Sequence, residues 1–107
     1  MRRYGMVIRV KPEQLAEYEE YHARVWPEVL GTIRNCNIRN YSIFHKDGFL
    51  FSYFEYIGDD FDSDMAKMAA DPKTQEWWTL MNPLQDPLET RAPSEWWARM
   101  KEVFHTD

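Results

Sequence analysis

The chain has 107 residues, enough for one domain around one core. Its hydrophobic content of 44% is that of a globular protein, which excludes general disorder. A formal net charge of −5 with no basic run argues against binding the phosphate backbone of nucleic acid.

In chain order, "RYGMVIRV" at 3–10 reads as a strand, with Met6, Ile8 and Val10 on one face by alternation. Pro12 fits the first position of a helix, where its missing N–H is harmless. In "LAEYEEYHARVWPEV", Leu15, Tyr18, His22, Val25 and Val29 follow 3, 4, 3, 4 spacing, the inward stripe of a helix. Pro27 disfavours the helical conformation at Trp26 and removes the donor to Ala23. The helix should therefore end at about His22 or Ala23, break near 24–26, and restart from Pro27 to about Asn35.

Ile38 to His45 and Phe49 to Ile57 are rich in β-branched and aromatic residues, and "KDG" at 46–48 supplies a hairpin turn between them, with Gly48 available for a positive φ. "DDFDSDMAKMAADP" reads as a helix with Phe61, Met65, Met68 and Ala69 as its apolar stripe and acidic residues at its start. Asp71-Pro72 reads as the N-cap and first residue of "KTQEWWTLM". "NPLQDPLETRAP" carries three prolines and reads as an irregular loop, and Lys101 to His105 is the expected last strand.

The order is β-α-β-β-α-β with each helical unit broken in two, which is the ferredoxin-like split βαβ arrangement, an α+β fold with an antiparallel sheet. Its helices cover one face. Strands such as "FLFSYFEY" are apolar or aromatic on both faces, so the other face needs a cover. The economical cover is a second copy of the chain, giving a homodimer with a barrel-like interior. Five Trp, six Tyr and six Phe exceed what one small interior holds, so some rings should line a pocket or an interface.

Cys36 is the only cysteine, so no intrachain disulfide forms, and a reducing compartment fits. "MRRYGMVIRV" has no apolar run of signal length, and no segment approaches a membrane span. The expectation is a single cytoplasmic domain over 1–107, in solution rather than in a membrane.

His22 stands out because an imidazole titrates near working pH and can act as general acid or base. A core histidine bonded to backbone is the alternative. Tyr18 lies one turn earlier on the same face, so a phenol and an imidazole could converge on an oxygen-rich ligand; Tyr18 could equally be a core ring. Trp77 and Trp78 point about 100° apart on a helix, so one can pack inward while the other walls a cavity, unless both simply pack. Trp96 and Trp97 pose the same choice. Tyr41 alone reads as a hairpin aromatic. His45 and His105 read as solvated. The three histidines lack metal-ligand spacing, and the acidic run "GDDFDSD" reads as a helix start, so no metal is expected. Phosphate loops and nucleophile elbows are missing from the sequence.

Taken together, "EYEEYHARVWPEV" at 17–29, "NIRNYSIF" at 37–44, "FEY" at 54–56, "WW" at 77–78 and "EVF" at 102–104 carry a resemblance to the L-rhamnose mutarotase family along nearly the whole chain. The resemblance implies the dimeric α+β barrel fold and cofactor-free interconversion of the α and β anomers of L-rhamnose. It implies His22 as the acid/base group, Tyr18 and Tyr41 as substrate contacts, and Trp77 and Trp78 as the wall of the sugar site. The clearest departure from the family pattern is 82–99, a Pro-rich loop with a second Trp pair, placed to shape the pocket mouth and sugar preference. Two other classes stay open: a small cofactor-independent oxygenase on the same fold, which would consume oxygen, and a non-catalytic sugar-binding module, which would bind without accelerating anomer exchange.

Overall fold

The computed structural model describes residues 1–107. Strand β1 (Arg2–Val10) leads through a 3-10 turn at Pro12–Gln14 into α1 (Leu15–His22), followed by α2 (Pro27–Asn35), β2 (Ile38–Lys46), β3 (Phe49–Tyr56), α3 (Phe61–Ala70) and α4 (Pro72–Met81). A second 3-10 turn (Asn82–Leu84), a short β4 (Gln85–Asp86) and β5 (Ala98–Met100) complete the regular structure. No helix is long and apolar enough to cross a membrane.

The chain breaks between α1 and α2 where Pro27 predicts it. Trp26 is extended (φ −60°, ψ 135°) and serves as the N-cap of α2. The β2–β3 turn is a two-residue loop with positive φ at both Asp47 (53°) and Gly48 (82°), the conformation whose twist matches the flanking strands. Asp60 caps α3 by accepting from the Ser63 N–H. Asp71 caps α4 by accepting from both the N–H and the hydroxyl of Thr74, and these bonds hold its carboxyl below the usual carboxylate range.

All pairings are antiparallel, in the order β2-β3-β1-β4, with β5 also on β1. The fold is thus the α+β split βαβ sheet, one half of the dimeric α+β barrel architecture. Tyr4, Ile8 and Val10 of β1 and Leu50, Phe54 and Tyr56 of β3 face the helices and are buried. They form two cores. One gathers Ile8, Val10, Tyr18, Val29, Leu50, Trp77, Met81 and Leu84; the other gathers Tyr4, Ile38, Phe54 and Tyr56, with Phe61, Met65 and Met68 of α3 packed against it. On the opposite face Phe51 stands in register with Val7 and Phe44, and both rings are exposed.

Two expectations change. The last strand is Ala98–Met100, and 101–107 has no regular structure, rather than a strand over Lys101 to His105. Val103 and Phe104 are adjacent, do not alternate, and find no surface within the chain to cover them, so both are exposed. The Arg3–Glu102 ion pair holds the start of the tail beside β1. The loop after α4 is also less irregular than its prolines suggest, because Arg9 and Val10 of β1 recruit Asp86 and Gln85 as a strand.

Behind the second core, the Tyr56 hydroxyl donates to the Asp64 carboxylate and accepts from the Asp60 N–H, while the Asn37 amide donates to the same carboxylate. Gly58 lies against this network. A Cβ there would overlap the Tyr56 hydroxyl and stand 2.7 Å from its Cζ, and the ring cannot swing away without losing both bonds. Gly58→Ala should therefore destabilise the fold by about 1–3 kcal/mol through overpacking. Urea unfolding tests this, and an unchanged midpoint would contradict the contact.

Candidate active site

A cleft of about 300 Å³ opens between α1 and the β2–β3 hairpin. Its volume is at the lower end of those that hold small molecules. Leu15, Tyr18, Glu19 and His22 line it from the helix, and Ile43, His45 and Leu50 from the strands. The period of α1 explains the first set: residues three and four apart stand on one face. The second set follows from the β2–β3 register, in which Ile43 and His45 oppose the inward-facing Ser52 and Leu50.

His22 is held on three sides. Its Nδ1 lies 2.8 Å from the Tyr18 carbonyl oxygen, which can only accept, so Nδ1 carries the proton and Nε2 is left as the basic nitrogen. The Tyr18 ring stacks on the imidazole at 4.1 Å between centroids, and Trp77 meets it edge-on at 5.5 Å. Trp77 is itself braced edge-on by Tyr21 and Trp26. Burial pulls the imidazole pKa below its ordinary value, partly opposed by the bond to the Tyr18 carbonyl, so the resting ring is neutral at pH 7. The ring also occupies the last turn of α1, where the helix dipole favours a cation. The resting state is a neutral base beside groups that can stabilise its protonated form.

Tyr18 is 4% exposed, and burial of its phenol, followed by the nearby Tyr41, raises its pKa well above the ordinary value, with a hydrogen bond from Gln85 working the other way. Tyr18 is therefore a proton donor throughout the working pH range.

Tyr41 turns onto the second core because β2 carries a bulge. The register slips between Arg39 and Ser42, and Asn40 adopts a positive φ of 51°. Two residues, Asn40 and Tyr41, thus oppose one, and Tyr41 turns to pack on Phe54 at 5.5 Å. The Asn40 amide locks the bulge by donating to Glu55, which also accepts from the Tyr53 hydroxyl; these two bonds hold the Glu55 carboxyl below its usual range. Tyr41 is 41% exposed, and partial desolvation of its phenol raises its pKa above the ordinary value.

The two tryptophans of α4 diverge. Trp77 is 6% exposed and stands in the main core behind His22, whereas Trp78 is 38% exposed; neither lines the cleft. The structure thus brings Tyr18 and His22 together at the cleft with Trp77 as a brace, and leaves Tyr41, packed on Phe54, and Trp78 outside its lining.

Four residues of the site have no strong mark in the sequence. Glu19 reaches the cleft, and its i,i+3 relation to His22 is a usable signal. His45 also reaches it, although its Nε2 accepts from the Gly48 N–H; its inward register is the signal. Gln85 and Trp96 bond to one another and, through Gln85, to Tyr18. They come from a Pro-rich stretch with no periodicity: the second Trp pair marks Trp96 as a candidate wall, but nothing local marks Gln85 or its pairing with Trp96.

Helices on one face of an antiparallel half-barrel sheet place the chain in the class of small α+β half-barrel domains. Within that class the chain belongs to the L-rhamnose mutarotase family, whose sequence profile matches residues 3–106. It is 33% identical to the L-rhamnose mutarotase of Oceanobacillus iheyensis over 107 residues, covering 100% of both chains. It is also 33% identical over 94 residues to the L-fucose mutarotase of Xanthomonas campestris pv. campestris, covering 84% of this chain and 74% of that one. Among solved structures, the L-rhamnose mutarotase of Formosa agariphila superposes with a TM-score of 0.78 at 22% identity, covering 100% of both chains, a likeness of fold.

Proposed function

We propose that the protein is an aldose mutarotase, an isomerase that interconverts the α and β anomers of L-rhamnose or a related 6-deoxy sugar. The observation that carries this is His22: in a chain matched end to end by the family, the one imidazole on α1 has Nδ1 fixed and Nε2 free, and it lines the cleft.

Mutarotation opens the pyranose ring and recloses it on the other carbonyl face. Opening requires one proton to reach the ring oxygen and another to leave the anomeric hydroxyl. His22 Nε2 takes the proton from the anomeric hydroxyl, and the imidazolium formed is stabilised by the Tyr18 carbonyl and the end of α1. The same Nε2–H then delivers that proton to the ring oxygen as its bond to the anomeric carbon breaks, which regenerates the neutral imidazole. Tyr18 donates to a sugar oxygen, its phenol remaining protonated as the reaction proceeds. Tyr41 hydrogen-bonds a sugar hydroxyl. Trp77 acts at one remove by holding the imidazole, and Trp78 contributes its exposed indole as an outer wall for the apolar face of the sugar. Reclosure reverses the transfers, so no cofactor is consumed. Saturation-transfer NMR of L-rhamnose, L-fucose, L-lyxose and D-glucose tests the reading. Exchange faster than buffer for a 6-deoxy sugar supports it; rates equal to buffer for all four would refute it.

We also place the protein in the cytoplasm as a homodimer joined through the exposed sheet face. Phe44 is 63% and Phe51 37% exposed there, and Val103 and Phe104 of the tail lie open as well. Phe51→Lys puts a charge at the centre of that face and should shift the protein to monomer in sedimentation equilibrium. A variant as dimeric as wild type would place the interface elsewhere.

A further inference from the structure

Trp96 sits in the loop between β4 and β5, and its indole Nε1 donates to Gln85 Oε1 at 2.8 Å. An indole nitrogen is a donor only, so this bond decides which way the Gln85 amide faces. With the carbonyl turned to Trp96, the amide nitrogen faces Tyr18 and donates to its hydroxyl oxygen at 3.4 Å. Gln85 is 6% exposed and held on β4 opposite Val10, so its backbone cannot drift. The Tyr18 oxygen thus accepts within the protein, and its own proton makes no hydrogen bond to any other residue of the chain. Tyr18 lines the cleft, so that proton is free for a ligand.

We propose that Trp96 and Gln85 are positioning residues that fix the Tyr18 hydroxyl as a hydrogen-bond donor toward the sugar. The inference rests on the mutarotase reading above and explains why the 82–99 loop returns an indole over β4. Trp96 follows Gln85 by eleven positions, the length of chain that makes that return. The arrangement works by exclusion. Without the indole, the Gln85 amide can rotate and offer its carbonyl to Tyr18, which would capture the proton meant for substrate.

The test is a mutant cycle. Trp96→Phe removes the N–H and keeps an aromatic ring. It should lower the rate of L-rhamnose anomer exchange about three- to tenfold, the worth of one hydrogen bond. Gln85→Met has no carbonyl to compete for the proton, so it should lose less than Trp96→Phe. The decisive comparison is combined: adding Trp96→Phe to Gln85→Met, or to Tyr18→Phe, should cost nothing further. A wild-type rate in Trp96→Phe, or an undiminished loss in either double variant, overturns the relay, the latter because it would mark a simple packing effect of the loop. The same cycle read on L-rhamnose affinity by NMR titration does not depend on turnover. A wild-type protein that binds the sugar without exchanging its anomers would overturn the mutarotase reading, and the affinity cycle would still decide the relay.

Discussion

His22→Ala should lower anomer exchange by about 10²- to 10⁴-fold, the contribution of a positioned acid/base group, with the chain still folded. The side chain is half-buried between Tyr18 and Trp77, so some stability is lost with it, and His22→Asn, which fills more of the slot, provides the control. Circular dichroism confirms the fold, and saturation-transfer NMR reads the rate. Exchange in His22→Ala as fast as wild type would remove His22 from the mechanism. A pH dependence accompanies the effect. Burial lowers the imidazole pKa, so the neutral base persists below the ordinary value of 6.5. Activity should be level above 6.5 and fall only at a lower pH, where the folded imidazole titrates. The linkage has the same sign. Between the folded pKa and 6.5 the unfolded chain binds more protons at this residue, so its contribution to stability is full above 6.5 and declines as pH falls through the folded value. Both acid limbs should vanish in His22→Asn.

Trp77→Ala should destabilise the protein by about 3–5 kcal/mol, as for other large-to-small changes of a core aromatic. The tandem "WW" predicts one ring inward and one toward a cavity without saying which, while the family resemblance gives both the same wall role. Their burial separates them: Trp77 joins Ile8, Leu50 and Met81 in the core and braces the imidazole, while Trp78 is partly open. Trp77→Phe keeps part of the brace and should lose less. Trp78→Ala should unfold at nearly the wild-type urea concentration and show its effect in sugar affinity. Should Trp77→Ala share the wild-type urea midpoint, its assignment to packing would be wrong. Equal sugar affinity in wild type and Trp78→Ala would end the proposal that Trp78 is an outer wall.

Most of the fold is legible in the sequence because strong local chemistry marks its joints. Pro27 cannot donate to Ala23, Asp71 before Pro72 must cap rather than continue, and Asp47-Gly48 accepts two positive φ values in a row. Half of the site is legible for the same reason: Tyr18 and His22 are one turn apart on one helix, so their meeting follows from helix geometry. The remainder depends on contacts distant in sequence. Gln85 reaches Tyr18 across 67 positions, and the depth of Trp77 depends on Tyr21 and Trp26 arriving from the other helical unit. The extent of the last strand depends on a surface for Val103 and Phe104 that the chain itself does not supply.

The bulge at Asn40–Tyr41 does more than aim one phenol. It changes the phase of β2. Ile38 and Ile43 are five positions apart, an odd interval, yet both turn toward the helices. A strand can do this only by dropping one beat of its alternation. The hairpin end of β2, which brings Ile43 and His45 to the cleft, is therefore tuned independently of the end that anchors Ile38 in the second core. Asn40 acts as the reading-frame mark between the two halves. Substitutions on either side leave the frame intact, but losing a single residue at this point would exchange the inner and outer faces of everything from Ser42 to the turn.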